Sequence, residues 1–156
     1  MRGGGIASLE LRPGLGLGPF TLGLPICEAI GYVQDRQDKF HTVEIKYSEG
    51  DPLGQDIVVN FPHLGMHLRF EPRTQRLRLV EVYDTTRLQL LYAQNALGGP
   101  ASAATFVRVY DLFGPTYPGQ YDPPTRQYSL HYPGVAFVFQ VPPQYTARFE
   151  EEAARR

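Results

Sequence analysis

Residues 59–72 read "VNFPHLGMHLRFEP", and residues 129–142 read "SLHYPGVAFVFQVP". Each is an apolar strand, an aromatic-proline pair, a glycine and a second strand. In the first stretch Met66, Leu68 and Phe70 share one face, with His67 and Arg69 on the other, the pattern of a strand buried on one side. In the second, Pro133 and Gly134 suit the central positions of a type II turn. A short amphipathic helix precedes each. The two stretches imply an internal duplication with a period of about 70–80 residues, each unit a helix plus an antiparallel meander. The fold class expected is α+β, antiparallel β meanders with short helices packed on one face.

The flanking segments continue this pattern. "LPICEAIGYVQDR" (24–36) puts Ile26, Cys27, Ile30 and Val33 at helical spacing, and Pro25 suits its first turn. "FHTVEIKYSE" (40–49) switches to period two, with Val43, Ile45 and Tyr47 on the face expected to be half-buried. "EGDPLG" (49–54) is a turn, and "QDIVVNF" and "QRLRLVEVYD" are further strands. In the latter, Leu77 and Leu79 are out of phase with Val80 and Val82, which predicts a bulge or two-sided burial. "ASLELR" (7–12) reads as an edge strand, "RLQLLYAQ" (87–94) as a strand and "NALGGPASA" (95–103) as a loop. "TFVRVYDLFG" (105–114) places Phe106, Val109, Tyr110 and Phe113 at i, i+3, i+4 and i+7, with Thr105 as N-cap and Gly114 as stop. The expected organisation is a flexible N-terminus (1–8), an α+β domain (9–141) with repeat units 9–86 and 87–141, and a polar, fraying tail (142–156).

Composition narrows the function classes. Of 156 residues, 42% are hydrophobic and 20% charged, which suits a globular chain rather than a disordered one. The net charge of -1 offers no basic stripe for nucleic acid. The single cysteine, Cys27, permits no internal disulfide and no multi-cysteine metal motif. With no apolar run of spanning length, the expectation is a soluble intracellular chain.

The glycines in "GLGLGPFTLGLPICEAI" (14–30) evoke a phosphate loop. G-x-G-x-x-G would need a glycine where Pro19 stands, and a meander rather than a βαβ unit follows. Gly18 and Gly23 are read instead as turn residues that bring Phe20 and Leu22 into the core and aim the helix. His63 and His67 flank a hairpin rather than sharing a helix face, so ordinary surface histidines are expected, as at His41 and His131. Cys27 is assigned to core packing. Asp51, Asp56, Asp84 and Asp111 fall at turns or element ends, where aspartate caps. No catalytic, cofactor-binding or metal-binding residue is nominated. Gly114, Pro133 and Gly134 join Gly18, Phe20 and Gly23 as structural positions. There are ten tyrosines and nine phenylalanines, many of them near prolines. The loop 115–124, with Tyr117, Pro118, Tyr121 and Pro123, is the candidate interaction surface, because tyrosine joins an apolar body to a polar tip.

Four segments carry a family resemblance: "LELRPGLGLGPFTLGLPICEAIGYVQ", "VEIKYSEGDPLGQDIVVNF", "GMHLRFEPRTQRLRLVEVYD" and "FGPTYPGQYDPPTRQYSLHYPGVAFVFQV". In order from Leu9 to Val141, the chain resembles the N-terminal part of the phagosome assembly factor 1 family. The resemblance implies a non-enzymatic cytoplasmic factor acting in autophagy, with no cofactor. Its implied partner is a β-propeller protein of the breast-carcinoma-amplified-sequence type, with recruitment to the preautophagosomal structure and membrane contact only through that partner. Golgi or vesicle trafficking is the variant reading, and a small apolar-ligand or lipid-binding module the runner-up class. Family members continue past "FEEEAARR", so the resemblance marks 142–156 as a point of truncation.

Overall fold

A computed structural model describes residues 7–155. The strands are β1 (Ser8–Arg12), β2 (Gly16–Leu17), β3 (Phe20–Thr21), β4 (Glu44–Lys46), β5 (Ile57–Phe61), β6 (Met66–Phe70), β7 (Leu77–Val82), β8 (Gln89–Tyr92), β9 (Asn95–Gly98), β10 (Gln120–Asp122), β11 (Gln127–Tyr132) and β12 (Val135–Gln140). Helices α1 (Ile26–Gln34), α2 (Phe106–Phe113) and α3 (Thr146–Ala154) punctuate them. The fold is α+β, as the patterning implied. Two compact units divide the chain, the first ending at Ala104 and the second beginning at Thr105. That division falls beyond the expected one at residues 86 and 87, because β8 pairs back onto β1 and β9 pairs with β8.

The first unit holds two sheets, ordered β3-β2-β1-β8-β9 and β4-β5-β6-β7. The second sheet is the predicted meander, with Val59 facing Leu68 and Leu68 facing Val80. Met66, Leu68 and Phe70 are fully buried. The phase change in β7 is a bulge: Leu79 pairs with Arg69 and Leu77 with Phe70, leaving Arg78 between them. The chain from Gly23 to Ile26 is hydrogen-bonded to Gln75 and Leu77 at distances of 2.8 Å, which fixes where α1 begins.

The glycine-rich stretch becomes the hairpin β2–β3 and delivers Phe20 to the core. Phe20 is fully buried against Phe61, Phe40 and Tyr32, with ring centroids 5.8, 5.8 and 6.1 Å away. Gly18 makes this possible. Its φ is +55°, and a Cβ there would lie 2.6 Å from Leu9 Cδ2. Leu22, in contrast to the expectation, is 44% exposed, since the chain has turned outward after β3.

Other expectations are corrected too. β1 is central rather than an edge, flanked by β2 and, in parallel, by β8, with Leu9 buried. Cys27 is exposed rather than packed in the core. The buried residues of α1 are Ala29 and Val33, and at 3.6 residues per turn Cys27 stands roughly 120° round from Val33. The segment read as a loop at 95–103 begins with β9, joined to β8 through Ala93 and Gln94, both at positive φ, 47° and 67°. Such a two-residue turn usually announces itself with Asn-Gly, which is absent here. The supposed half-buried face of β4 is largely open, with Ile45 at 50% exposure.

The second unit is one sheet, ordered β10-β11-β12, whose aromatic face packs with α2 and α3. The tail expected to fray instead forms α3, held by Phe149 against Tyr121 and Tyr128. The expected loop 115–124 contains β10, paired with β11. Tyr132 pairs with Val135 across Pro133 and Gly134, and Gly134 at φ 78° matches the positive-φ position of a type II turn. Of the expected flexible N-terminus, residues 1–6 lie outside the described residues, and Ser8 already belongs to β1.

Candidate interaction surface

α2 starts where Thr105 Oγ1 accepts the Arg108 backbone N–H at 3.2 Å. This capping bond satisfies a donor that the first helical turn leaves free. Val109 is fully buried beneath the helix. Phe113 rests on Tyr132 and Phe137, at 5.1 and 5.0 Å between centroids. Tyr132 donates its hydroxyl hydrogen to Gly114 O at 2.9 Å, and burial pushes its pKa above the ordinary tyrosine value. Gly114, at φ 80°, ends the helix.

One side of this helix stays uncovered. Phe106 contacts Tyr128 and Phe139 but stacks its ring nearly parallel on Tyr110, 6.1 Å away and 14° between planes. Phe106 and Tyr110 are 41% and 43% exposed, and Val107 beside them is 65% exposed. Aromatic side chains with reachable polar tips are the residues that anchor protein interfaces.

Sequence reasoning assigned Phe106 and Tyr110 to the core-facing side of α2 and did not nominate Val107. The available signal was Val107 itself, an apolar residue about 100° round the helix from Phe106, widening the stripe beyond what one sheet can cover.

The predicted loop residues separate in the structure. Tyr117 is 89% exposed, and Pro118 and Pro123 are also exposed. The segment bearing Tyr117 is anchored on both sides. Thr116 Oγ1 donates to His131 O at 2.7 Å, and the Gly119 N–H donates to Tyr128 OH at 3.1 Å. Tyr121 does not join Tyr117 at the surface. It packs against Phe149, and its hydroxyl is buried without a hydrogen-bond partner. Loss of hydration raises its pKa, and the nearby Glu150 adds to the shift.

Elsewhere, the polar groups serve the scaffold. Asp84 accepts the Thr86 N–H at 3.0 Å, and Glu71 accepts the Thr74 N–H at 2.7 Å. Hydrogen bonds from Thr86 and Thr74, respectively, lower the two carboxyl pKa values. His63 and His41 lie ring to ring at 4.0 Å, with His63 Nε2 2.7 Å from Lys39 O. Among the described residues, no group of three or more His, Cys, Asp or Glu is placed to hold a metal ion. Nor, among them, is any helix long and apolar enough to cross a membrane.

Comparison with known proteins adds a second line. The family model for phagosome assembly factor 1 matches residues 16–156. A PHAF1 protein of Arabidopsis thaliana is 52% identical over 142 residues, which cover 91% of this chain and 35% of that protein. PHAF1 proteins of Drosophila melanogaster and Caenorhabditis elegans are 34% and 36% identical, over 85% and 77% of this chain and 31% and 28% of theirs. The chain thus spans about a third of the length of these relatives. No solved structure matches it.

Proposed function

This chain belongs to the phagosome assembly factor 1 family, and on that premise we propose that it is a non-enzymatic interaction subunit supporting autophagosome formation. It works in complex with a β-propeller protein of the breast-carcinoma-amplified-sequence type, in the cytoplasm and at the preautophagosomal structure. Membrane is reached through that partner. The observation that carries this reading is the open side of α2, where Phe106, Val107 and Tyr110 stand uncovered while the rings beneath them hold the helix in place. A propeller offers rigid, partly apolar loop surfaces that such a strip can bury. The aromatic interior of the first unit is occupied by ring-on-ring packing, which favours a scaffold over a ligand carrier.

The test is direct binding of the purified chain to the purified propeller protein, measured by calorimetry. Saturable binding is expected, weakened at least about tenfold by Val107→Asp, since a carboxylate must then be desolvated on docking. Val107 is mostly solvent-exposed, so thermal unfolding should barely change. The reading fails if the wild-type chain does not bind.

A further inference from the structure

β4 is an edge of the four-stranded sheet: one side pairs with β5 and the other presents unpaired backbone groups. Ile45 pairs with Val59, so it extends the sheet's apolar inner face. Val59 and Leu68 in that row are 2% and 0% exposed, whereas Ile45 is 50% exposed. Val43 and Tyr47, on the same face by alternation, are 37% and 63% exposed. The opposite face carries Glu44 and Lys46, 3.9 Å apart, with side chains 49% and 67% exposed. Glu44 also accepts a hydrogen bond from Asn60 Nδ2 at 3.1 Å, which holds its carboxylate on that face.

We propose that β4 pairs antiparallel with β4 of a second copy of this chain, about a two-fold axis through Ile45. The sequence V-E-I-K-Y is self-complementary about that axis. Ile45 meets Ile45, Glu44 of each copy meets Lys46 of the other, and Val43 meets Tyr47 on the apolar side. Opposite charges directly across a strand pair are stabilising and like charges destabilising. Slipping the pairing by two residues opposes Glu44 to Glu44 or Lys46 to Lys46. Slipping it by one turns the apolar residues to the charged face. The charge pattern therefore selects one register, and the two edges close on each other in an isologous contact. This inference is independent of the propeller-binding reading.

The test is sedimentation of the 156-residue chain across a concentration series. A monomer–dimer equilibrium is expected. Glu44→Lys and Lys46→Glu should each weaken association at least about tenfold, because each places two like-charge pairs across the axis. The double variant Glu44→Lys/Lys46→Glu restores the complement and should return association to within about threefold of wild type. Circular dichroism checks that each variant folds. A register readout does not depend on those charges. In a Cys27→Ser background, Ile45→Cys should form a disulfide dimer under mild oxidation, while Leu53→Cys should not. Opposed strand residues lie about 4.5–5.5 Å apart, within disulfide reach. A chain that stays monomeric throughout overturns the proposal, as does a dimer indifferent to the single charge reversals. A folded double variant that fails to associate, or equal cross-linking at positions 45 and 53, overturns it too.

Discussion

Phe20 in the first unit touches Tyr32, Phe40 and Phe61; Phe106 in the second touches Tyr110, Tyr128 and Phe139. The ring neighbourhoods are alike, yet Phe20 is 0% exposed and Phe106 is 41% exposed. The difference lies in what stands behind the rings. Phe20 belongs to the five-stranded sheet and stacks on Phe61 of the four-stranded sheet, so it has structure on both sides. Phe106 has a single sheet on one side and solvent on the other. A small unit with one sheet cannot seal its aromatic layer, because surface shrinks more slowly than volume. The same residue type is therefore sealed in one unit and left partly open in the other.

The sharpest way to break this comparison is paired truncation. Phe20→Ala should cost about 3–5 kcal/mol in denaturant unfolding, as for a buried aromatic. Phe106→Ala should cost about 1–2 kcal/mol, in proportion to its partial burial. A Phe20→Ala loss below about 1 kcal/mol would show that the first unit is no better sealed than the second.

Gly18→Ala comes next, at about 2 kcal/mol, since alanine at positive φ is strained and its Cβ meets Leu9. A neutral result in the same denaturation assay would show that the turn delivering Phe20 can relax. Thr105→Ala should cost about 1 kcal/mol through the lost cap. Hydrogen exchange should show the loss of protection concentrated in residues 106–113, with β5 and β6 unaffected.

The smallest effect concerns pH in the first unit. Burial holds the His63 pKa below its ordinary 6.5, and the charge of neighbouring His41 acts in the same direction. The unfolded chain thus binds more protons than the folded one as pH falls below about 6.5, so stability must drop there with decreasing pH. His63→Gln should flatten that slope in thermal melts between about pH 7.5 and 5.5, while changing stability at neutral pH by under about 1 kcal/mol. The carboxylates Glu71 and Asp84 have lowered pKa values and contribute only at more acidic pH.

Much of this architecture was legible from residue order. The strict alternation of Met66, Leu68 and Phe70, a change of phase within β7, and the Thr105 and Gly114 boundaries of α2 are local signals. Backbone hydrogen-bond geometry and side-chain period impose them wherever the chain goes. The candidate interaction surface was less legible. Tyr117 stands exposed among its prolines, whereas Tyr121 is covered because Phe149 of α3 packs on it. Phe106 and Tyr110 carried a correct helical period that said nothing about how wide a sheet would lie beneath.

By itself, the sequence determined the α+β class, the run of strands β4 to β7 after α1, and the Thr105 and Gly114 boundaries of α2. These rest on dihedral preference and on the periods of the two backbone geometries, which neighbouring residues settle among themselves. Tertiary structure alone decided that β1 is central through its parallel partner β8, that Cys27 faces solvent, and that β4 and α2 keep open apolar faces. Burial depends on what a distant part of the chain brings to the other side of an element, and no local period encodes that.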